Sequence, residues 1–181
     1  VADALRVPAK YETAVEACLG GALQNVIVED EYDAKHIISY LRKNNMGRVT
    51  FLPVKSLKVR TLSGDERAAT KESGVLGVAS ELVSCDNGVR NAIDFLLART
   101  VIVDEPDTAI QVMRRCNQSL RVVTVSGDVF NPGGSITGGS IRRERSGLVS
   151  RDRREEELKS RADELKSHVS AMEKTLAEKI G

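Results

Sequence analysis

The chain has 181 residues, enough for one compact domain with an appendage or for two small subdomains. Its 27 lysines and arginines nearly balance 26 aspartates and glutamates, which excludes a strongly basic or acidic protein, so any anion binding must come from local clusters. No apolar run approaches the ~20 residues that cross a bilayer, so no membrane span or membrane partner is predicted. Because the chain opens on Val-Ala-Asp without Met, we expect a fragment of a longer protein.

An internal repeat is the most informative feature of the sequence. Ala14–Leu19 recurs as Ala92–Leu97, and each is an apolar, helix-like stretch with one acid at the same place. A short apolar run follows in each copy, Val26–Val28 and Val101–Val103, and two acids follow each run. These runs predict buried strands that lead into helix starts, where acidic residues interact favourably with the helix dipole.

The segments that follow predict two amphipathic helices. Both place apolar residues at i, i+3, i+4 and i+7, the spacing of a buried stripe: Ala34, Ile37, Ile38 and Leu41 in one copy, and Ala109, Val112, Met113 and Cys116 in the other. Each copy then closes on a β-rich run, Arg48–Leu52 and Arg121–Val125. Each copy thus has the predicted order helix, strand, helix, strand. Two such copies predict an α/β (α+β) fold of two similar subdomains.

Changes of composition along the chain set the predicted boundaries. The first subdomain is expected over residues 1–58, a polar connector with some local structure over 59–75, and the second subdomain over 76–149. Residues 150–181 are predicted to begin an outgoing coiled-coil arm.

The coiled-coil prediction rests on alternating spacings of four and three in a charged segment without Gly or Pro before Gly181. The apolar positions are Leu158, Ala162, Leu165, Val169, Met172 and Leu176. Such a helix would reach roughly 45 Å, so we expect it to project from a domain of this size. An amphipathic helix that folds back on the core is the alternative.

A glycine-rich segment, Gly127–Ser140, lies between the last β-rich run and the coil. It resembles the motif that closes the hinge domain of bacterial structural maintenance of chromosomes (SMC) proteins. Other segments are similar to the same family: Val7-Pro8, Tyr11, Gly47–Pro53 and Leu76–Val83.

The resemblance implies a homodimeric ring with two equivalent contacts, in which one subdomain of a chain meets the other subdomain of its mate. It implies a role in chromosome condensation and segregation, with ATP bound only by head domains at the far ends of the arms, so no cofactor is expected in this chain. A cytoplasmic, nucleoid-associated protein is expected, which agrees with three cysteines that form no Cys-x-x-Cys pair and are predicted to be buried, reduced thiols: Cys18, Cys85 and Cys116.

The glycine pairs provide the predicted dimer interface. Glycine allows another backbone to approach closely and allows positive φ, and edge-to-edge pairing of strands needs small residues where backbones meet. We therefore predict that the interface contains Gly133, Gly134, Gly138 and Gly139.

An arginine cluster directly after the glycines is the predicted DNA contact. Arg142, Arg143 and Arg145 precede the acids of the coil and are free to bind phosphate, whereas Arg151 and Arg153 stand four residues before glutamates and suit intrahelical pairs. Only three Phe and three Tyr occur and no Trp, which indicates no stacking platform for bases. Double- or single-stranded DNA bound without sequence preference is the expected partner.

The sequence gives little support for a catalytic site or a metal site. Neither glycine pair is followed by the Lys-Ser/Thr of a phosphate-binding loop, and His36 and His168 have no second ligand at metal-binding spacing. No nucleophile can be paired with a base, so the chain is predicted not to be an enzyme. Two alternatives stay open: a purely structural dimerisation module without DNA binding, and a nucleotide-binding or hydrolytic α/β domain.

Overall fold

The computed structural model describes residues 1–139, 155, 158–169 and 172. The chain divides into two units, Val1–Val149 and Ser150–Gly181. Within the described ranges, no helix is both long and apolar enough to cross a membrane.

The first copy of the repeat forms α1 (Glu12–Leu19), β1 (Val26–Val28), α2 (Glu31–Lys43) and β2 (Phe51–Pro53). Asp30 caps the start of α2: its Oδ1 accepts hydrogen bonds from the backbone N–H of Tyr32 (3.0 Å) and Asp33 (3.2 Å). Strands β1 and β2 pair in parallel, with Val26 opposite Phe51.

Between the copies lie α3 (Gly64–Ala69) and β3 (Val75–Val78). A reciprocal capping box begins α3: the Glu66 N–H donates to Ser63 Oγ at 3.3 Å, and the Ser63 N–H donates to Glu66 Oε2 at 2.8 Å. The predicted connector therefore contains a short helix and runs into a strand that the sequence pattern did not indicate.

The second copy forms α4 (Arg90–Leu97), β4 (Thr100–Val103), α5 (Pro106–Arg115) and β5 (Arg121–Thr124), and two short strands follow, β6 (Val129–Phe130) and β7 (Ile136–Thr137). The five-stranded sheet has the order β3-β4-β5-β6-β7. Only β4 and β5 pair in parallel; the other neighbours are antiparallel.

Two apolar clusters cover the two faces of this sheet. Because side chains alternate along a strand, Ile102 of β4 joins one cluster and its neighbours Val101 and Val103 join the other. The first cluster contains residues of both α1 and α4, and the second contains residues of α5. Helices from both copies of the repeat thus share one core.

The twice-written order helix, strand, helix, strand is confirmed, and so is the α+β class. One detail of the predicted core is wrong. The α5 stripe is buried throughout, but in α2 only Ala34 is buried, while Ile37 and Ile38 are 37% and 42% exposed. A two-stranded sheet is too narrow to cover the stripe that a five-stranded sheet covers in the other copy.

The three cysteines are free, but only two match the prediction of burial. Burial raises the pKa of the Cys18 thiol to about 12, and Cys116 is buried as well. Cys85 is half-buried, because it lies beyond the strands in the segment that leads to α4.

The second unit contains helix over residues 158–169, with helical residues at 155 and 172. The apolar positions Leu158, Leu165, Val169 and Met172 are all more than half exposed. A predicted coiled-coil seam is thus open along the described part of this helix, whereas Leu176 lies outside the described residues.

Candidate dimer interface

The glycine-rich segment forms the β6–β7 hairpin at one end of the five-stranded sheet. Its loop is fixed by backbone hydrogen bonds: the Asn131 N–H donates to Ser135 O at 2.8 Å, and the Gly133 N–H donates to Gln118 O at 3.0 Å. The second bond ties the loop to the segment after α5. The hairpin is therefore a defined edge of the sheet.

The four glycines predicted to form the interface fall into two kinds. A Cβ added at Gly134, where φ is 97°, would lie 2.8 Å from Gln118 Oε1, and one added at Gly138 would lie 2.5 Å from Asp128 Oδ1, so a side chain at either position would force a neighbouring side chain of the same chain to move. Gly133 and Gly139 have positive φ (82° and 120°) and nothing within 4 Å of an added Cβ. Only these last two present open space to a second molecule, and a substitution at Gly138 would disturb the chain itself.

The Asp128 carboxylate holds the strand end next to Gly138. Its Oδ2 accepts hydrogen bonds from Ser126 Oγ (2.9 Å) and Thr124 Oγ1 (3.1 Å), and its Oδ1 accepts one from the Gly139 N–H (3.4 Å). These bonds, above all the one from Ser126, hold the pKa of Asp128 below its usual value. An ionised Asp128 therefore positions the end of β7 against the β5–β6 turn.

The outer edge of β7 is open. Among the described residues, no strand pairs with its far side, and Ile136 exposes 61% of its surface there. An edge strand carries unpaired N–H and C=O groups and is a template for pairing with another chain. An exposed isoleucine on such an edge adds apolar area that a partner could cover.

A second open surface lies on the first copy of the repeat. In the second copy, β4 and β5 are flanked by β3 and β6; no described strand flanks their counterparts β1 and β2. Apolar side chains are consequently exposed on this half: Val26 (40%), Ile37 (37%), Ile38 (42%) and Val49 (39%). In the second copy, by contrast, the strand equivalent to β1 is covered: Val101, Ile102 and Val103 of β4 are at most 1% exposed. The first copy thus lacks the flanking strands that cover the second, and we call its two strands, β1 and β2, the unfinished sheet.

The sequence analysis singled out the four glycines, which stay a prediction, and did not single out Ile136 or Asp128. Both belong to the same glycine-rich segment. The available signals were a single acid, Asp128, and an isolated apolar residue, Ile136, among glycines and serines. The predicted DNA contacts Arg142, Arg143 and Arg145 lie outside the described residues. In the part of the chain that the structure describes, no three His, Cys, Asp or Glu side chains are grouped as a metal site would require.

Comparison with known proteins places this fold in a family. Residues 1–113 match the SMC proteins flexible hinge domain. The chromosome partition protein Smc of Halothermothrix orenii is 39% identical over 169 residues, covering 93% of this chain and 14% of that protein. The Smc protein of Bacillus subtilis is 38% identical over 184 residues, covering 99% of this chain and 16% of that protein.

Solved structures agree. The Geobacillus stearothermophilus SMC hinge domain, whose crystal structure is an asymmetric dimer, has a TM-score of 0.81 at 38% identity, covering 98% of this chain and 71% of that one. The Pyrococcus furiosus SMC hinge domain has a TM-score of 0.64 at 32% identity, covering 76% and 69%. This chain spans about one seventh of the length of its curated relatives, 14% to 16% in the two named here. On the sequence match and the fold together, the chain belongs to the SMC hinge domain family.

Proposed function

We propose that this domain is a homodimerisation hinge in which the β7 edge of each chain completes the unfinished two-stranded sheet of the other. The observation that carries the proposal is the contrast between the two copies of the repeat. The stripe that five strands bury in the second copy is left half open over two strands in the first. A strand pair contributed by a partner would give the first copy the covering that the second already has.

Two-fold symmetry then produces two equal contacts. Each chain has one open β7 edge and one unfinished sheet, so the edge of the first chain meets the sheet of the second and the reverse. Such a closed arrangement leaves neither β7 edge free and needs no third molecule. It pairs exposed backbone groups and covers Ile136 together with the α2 stripe.

In a longer protein, this dimer would join two coiled-coil arms. The exposed apolar seam from Leu158 to Met172 supports an arm that packs against another helix. The relatives are named chromosome partition proteins, and we extend that role to this chain as part of the proposal.

Analytical ultracentrifugation of the unaltered chain tests the dimer. We expect a dimer at micromolar concentration, as a specific interface of standard size gives. A chain that sediments as a folded monomer at about 100 μM, so that dimerisation contributes less than about 5.5 kcal/mol, would refute the proposal.

We further propose that DNA binds without sequence preference through Arg142, Arg143 and Arg145. In a two-fold dimer these residues supply up to six guanidinium groups, and each can hold phosphate through two hydrogen bonds. The neighbouring Glu144 subtracts from their field, so Glu144→Ala should tighten binding.

The salt dependence of duplex binding checks this contact. The combined Arg142→Ala, Arg143→Ala and Arg145→Ala chain should bind more weakly, with a flatter log-log salt slope, because each lost phosphate contact removes about 0.9 from the slope. Arg114→Ala, an exposed arginine on α5, is the matched control. Equal affinity and slope in the triple variant and the unaltered chain would favour the purely structural alternative.

A further inference from the structure

A cleft lies between the connector and α4, and we call it the connector cleft. Its volume is about 180 Å³, and its lining comes from the connector, from the end of β3 with the turn that follows, and from one side of α4. The described residues that line it belong neither to the proposed dimer interface nor to the proposed DNA contact. A cavity of about 150 Å³ holds a molecule of the size of benzene, so this cleft has room for about eight non-hydrogen atoms.

Both walls of the connector cleft are held in place. On one side, Asn91 Nδ2 donates a hydrogen bond to Leu57 O at 3.1 Å, and Arg99 Nη1 donates one to Thr61 O at 3.2 Å. Val59 lies between these two fixed points of the chain and lines the cleft. The other wall is α4, which its buried residues hold in the core. The cleft is therefore formed before any ligand binds, as is usual for small-molecule sites.

The charged groups that line the cleft are balanced. Arg90 Nε lies 2.9 Å from Asp94 Oδ1, and Arg90 Nη2 donates a hydrogen bond to Ser80 O at 2.8 Å. Arg67 and Glu81 are 3.8 Å apart, and both side chains are more than half exposed. The cleft thus has two guanidinium groups and two carboxylates. A singly charged ligand would leave an uncompensated charge in this partly enclosed space, whereas a zwitterion would not.

The Asp94 carboxylate is open to a further hydrogen-bond donor. Its side chain is 28% exposed although Oδ1 is buried, so Oδ2 is the oxygen that a ligand reaches. Despite the short distance, Arg90 Nε is not aligned for a hydrogen bond to Oδ1, which accepts none from the residues that the structure describes. The equivalent residues of the first copy are Glu12 and Glu16, so the repeated fold does not require an arginine beside this acid. An ammonium group in the cleft would supply the donor that Asp94 lacks.

We propose that the connector cleft binds a free α-amino acid with a small aliphatic side chain, such as valine. The ammonium group donates to Asp94 Oδ2, and the carboxylate accepts from the exposed guanidinium of Arg67. The rest of the lining is largely apolar and suits a branched aliphatic side chain; it includes Val59, Leu62, Val78 and Ala98. Valine has eight non-hydrogen atoms and carries both charges, so it matches the cleft in size and in charge.

Titration of L-valine into the unaltered chain, followed by NMR of the protein, tests the site. A ligand this small is expected to bind with a Kd on the order of 1 mM. Isobutylamine is valine without its carboxylate, and 3-methylbutanoate is valine without its ammonium group. Each should bind about tenfold more weakly, because one hydrogen bond between charged groups is lost. D-valine should bind about tenfold more weakly as well, since its three groups cannot all reach their partners at once.

Two variants locate the site. Arg67→Ala should weaken the binding of L-valine about tenfold but leave that of isobutylamine unchanged, because isobutylamine has no carboxylate. Ala98→Leu fills the cleft and should abolish the binding of both ligands in a chain that circular dichroism shows to be folded. Arg114→Ala, at an exposed position on α5, should change neither. An Ile136→Lys chain should bind L-valine as the unaltered chain does, which separates this site from the proposed dimer.

Three results would overturn the proposal. One is the lack of saturable shifts with L-valine up to about 20 mM, roughly 20 times the expected Kd. The others are equal affinities for L-valine, D-valine and 3-methylbutanoate, and an unchanged Kd for L-valine in Arg67→Ala. If Ala98→Leu does not fold, the contrast between L-valine and isobutylamine in Arg67→Ala decides.

Discussion

Replacing Ile136 by lysine should convert the dimer into a folded monomer. Ile136 is 61% exposed on the open edge of β7, so a lysine there costs the single chain little. In the proposed dimer the same side chain is covered by the unfinished sheet of the partner, and a charge would be buried without an opposite charge. The change occurs at both contacts, so we expect the dimer to weaken by on the order of 100-fold or more.

An exposed isoleucine elsewhere gives a matched control. Ile110 is 37% exposed on α5, which covers a face of the five-stranded sheet and not its edge. Ile110→Lys should sediment as the unaltered chain does. If both variants dissociate the dimer equally, or if Ile136→Lys leaves it intact while circular dichroism shows both to be folded, β7 is not the interface.

Replacing Glu66 by glutamine should lower the stability of the chain well beyond the effect of a surface substitution. Glu66 is only 6% exposed and accepts hydrogen bonds from three groups: the Arg99 guanidinium through both nitrogens (2.5 and 3.0 Å), the Ser119 hydroxyl (2.5 Å) and the Ser63 N–H (2.8 Å). This network ties α3 to the ends of β4 and β5. The Glu66 side chain is 9% exposed but that of Arg99 is 34% exposed, so water can partly solvate the arginine when its partner loses the charge, and we expect about 1–3 kcal/mol lower free energy of unfolding.

A second glutamate serves as the comparison. Glu81 pairs with Arg67 at 3.8 Å, and both side chains are more than half exposed. Glu81→Gln should change the free energy of unfolding by no more than about 0.5 kcal/mol. Both values come from urea unfolding at one protein concentration, because dimerisation makes stability depend on concentration.

The pH dependence of the Glu66→Gln effect follows from the same contacts. Hydrogen bonds, first of all from Arg99, lower the pKa of Glu66 from 4.5 to about 2. A folded-state pKa below the unfolded one means that the stabilisation is complete above pH 4.5 and is lost as the pH falls towards 2. The difference between the unaltered chain and Glu66→Gln should therefore shrink over this range. Other carboxylates are present in both chains and cancel.

The sequence predicted those parts of the fold in which local pattern decides the structure. The helical stripes of α2 and α5 and the apolar runs of β1 and β4 have enough residues to show a period, and all four elements formed as predicted. The strands β6 and β7 have two residues each, too few for any period. They exist because β5 offers an edge, which is a property of the folded sheet.

Exposure in the first copy could not be predicted for a related reason. Ile37 and Ile38 have the spacing of buried residues, and whether they are buried depends on how many strands lie beneath them.

Mixing two interface variants tests the central claim most directly. Ile136→Lys places a charge on the β7 edge. Ile38→Lys places one on the apolar stripe of α2, 42% exposed, which packs on the unfinished sheet and would be covered by the partner's β7 edge. If the edge of each chain pairs with the sheet of the other, a mixed dimer gathers both lesions at one contact and leaves the other contact intact. Each variant alone should then sediment as a monomer, while an equimolar mixture should form dimers. A mixture that stays as monomeric as its separate components would contradict the proposed exchange of edge and sheet.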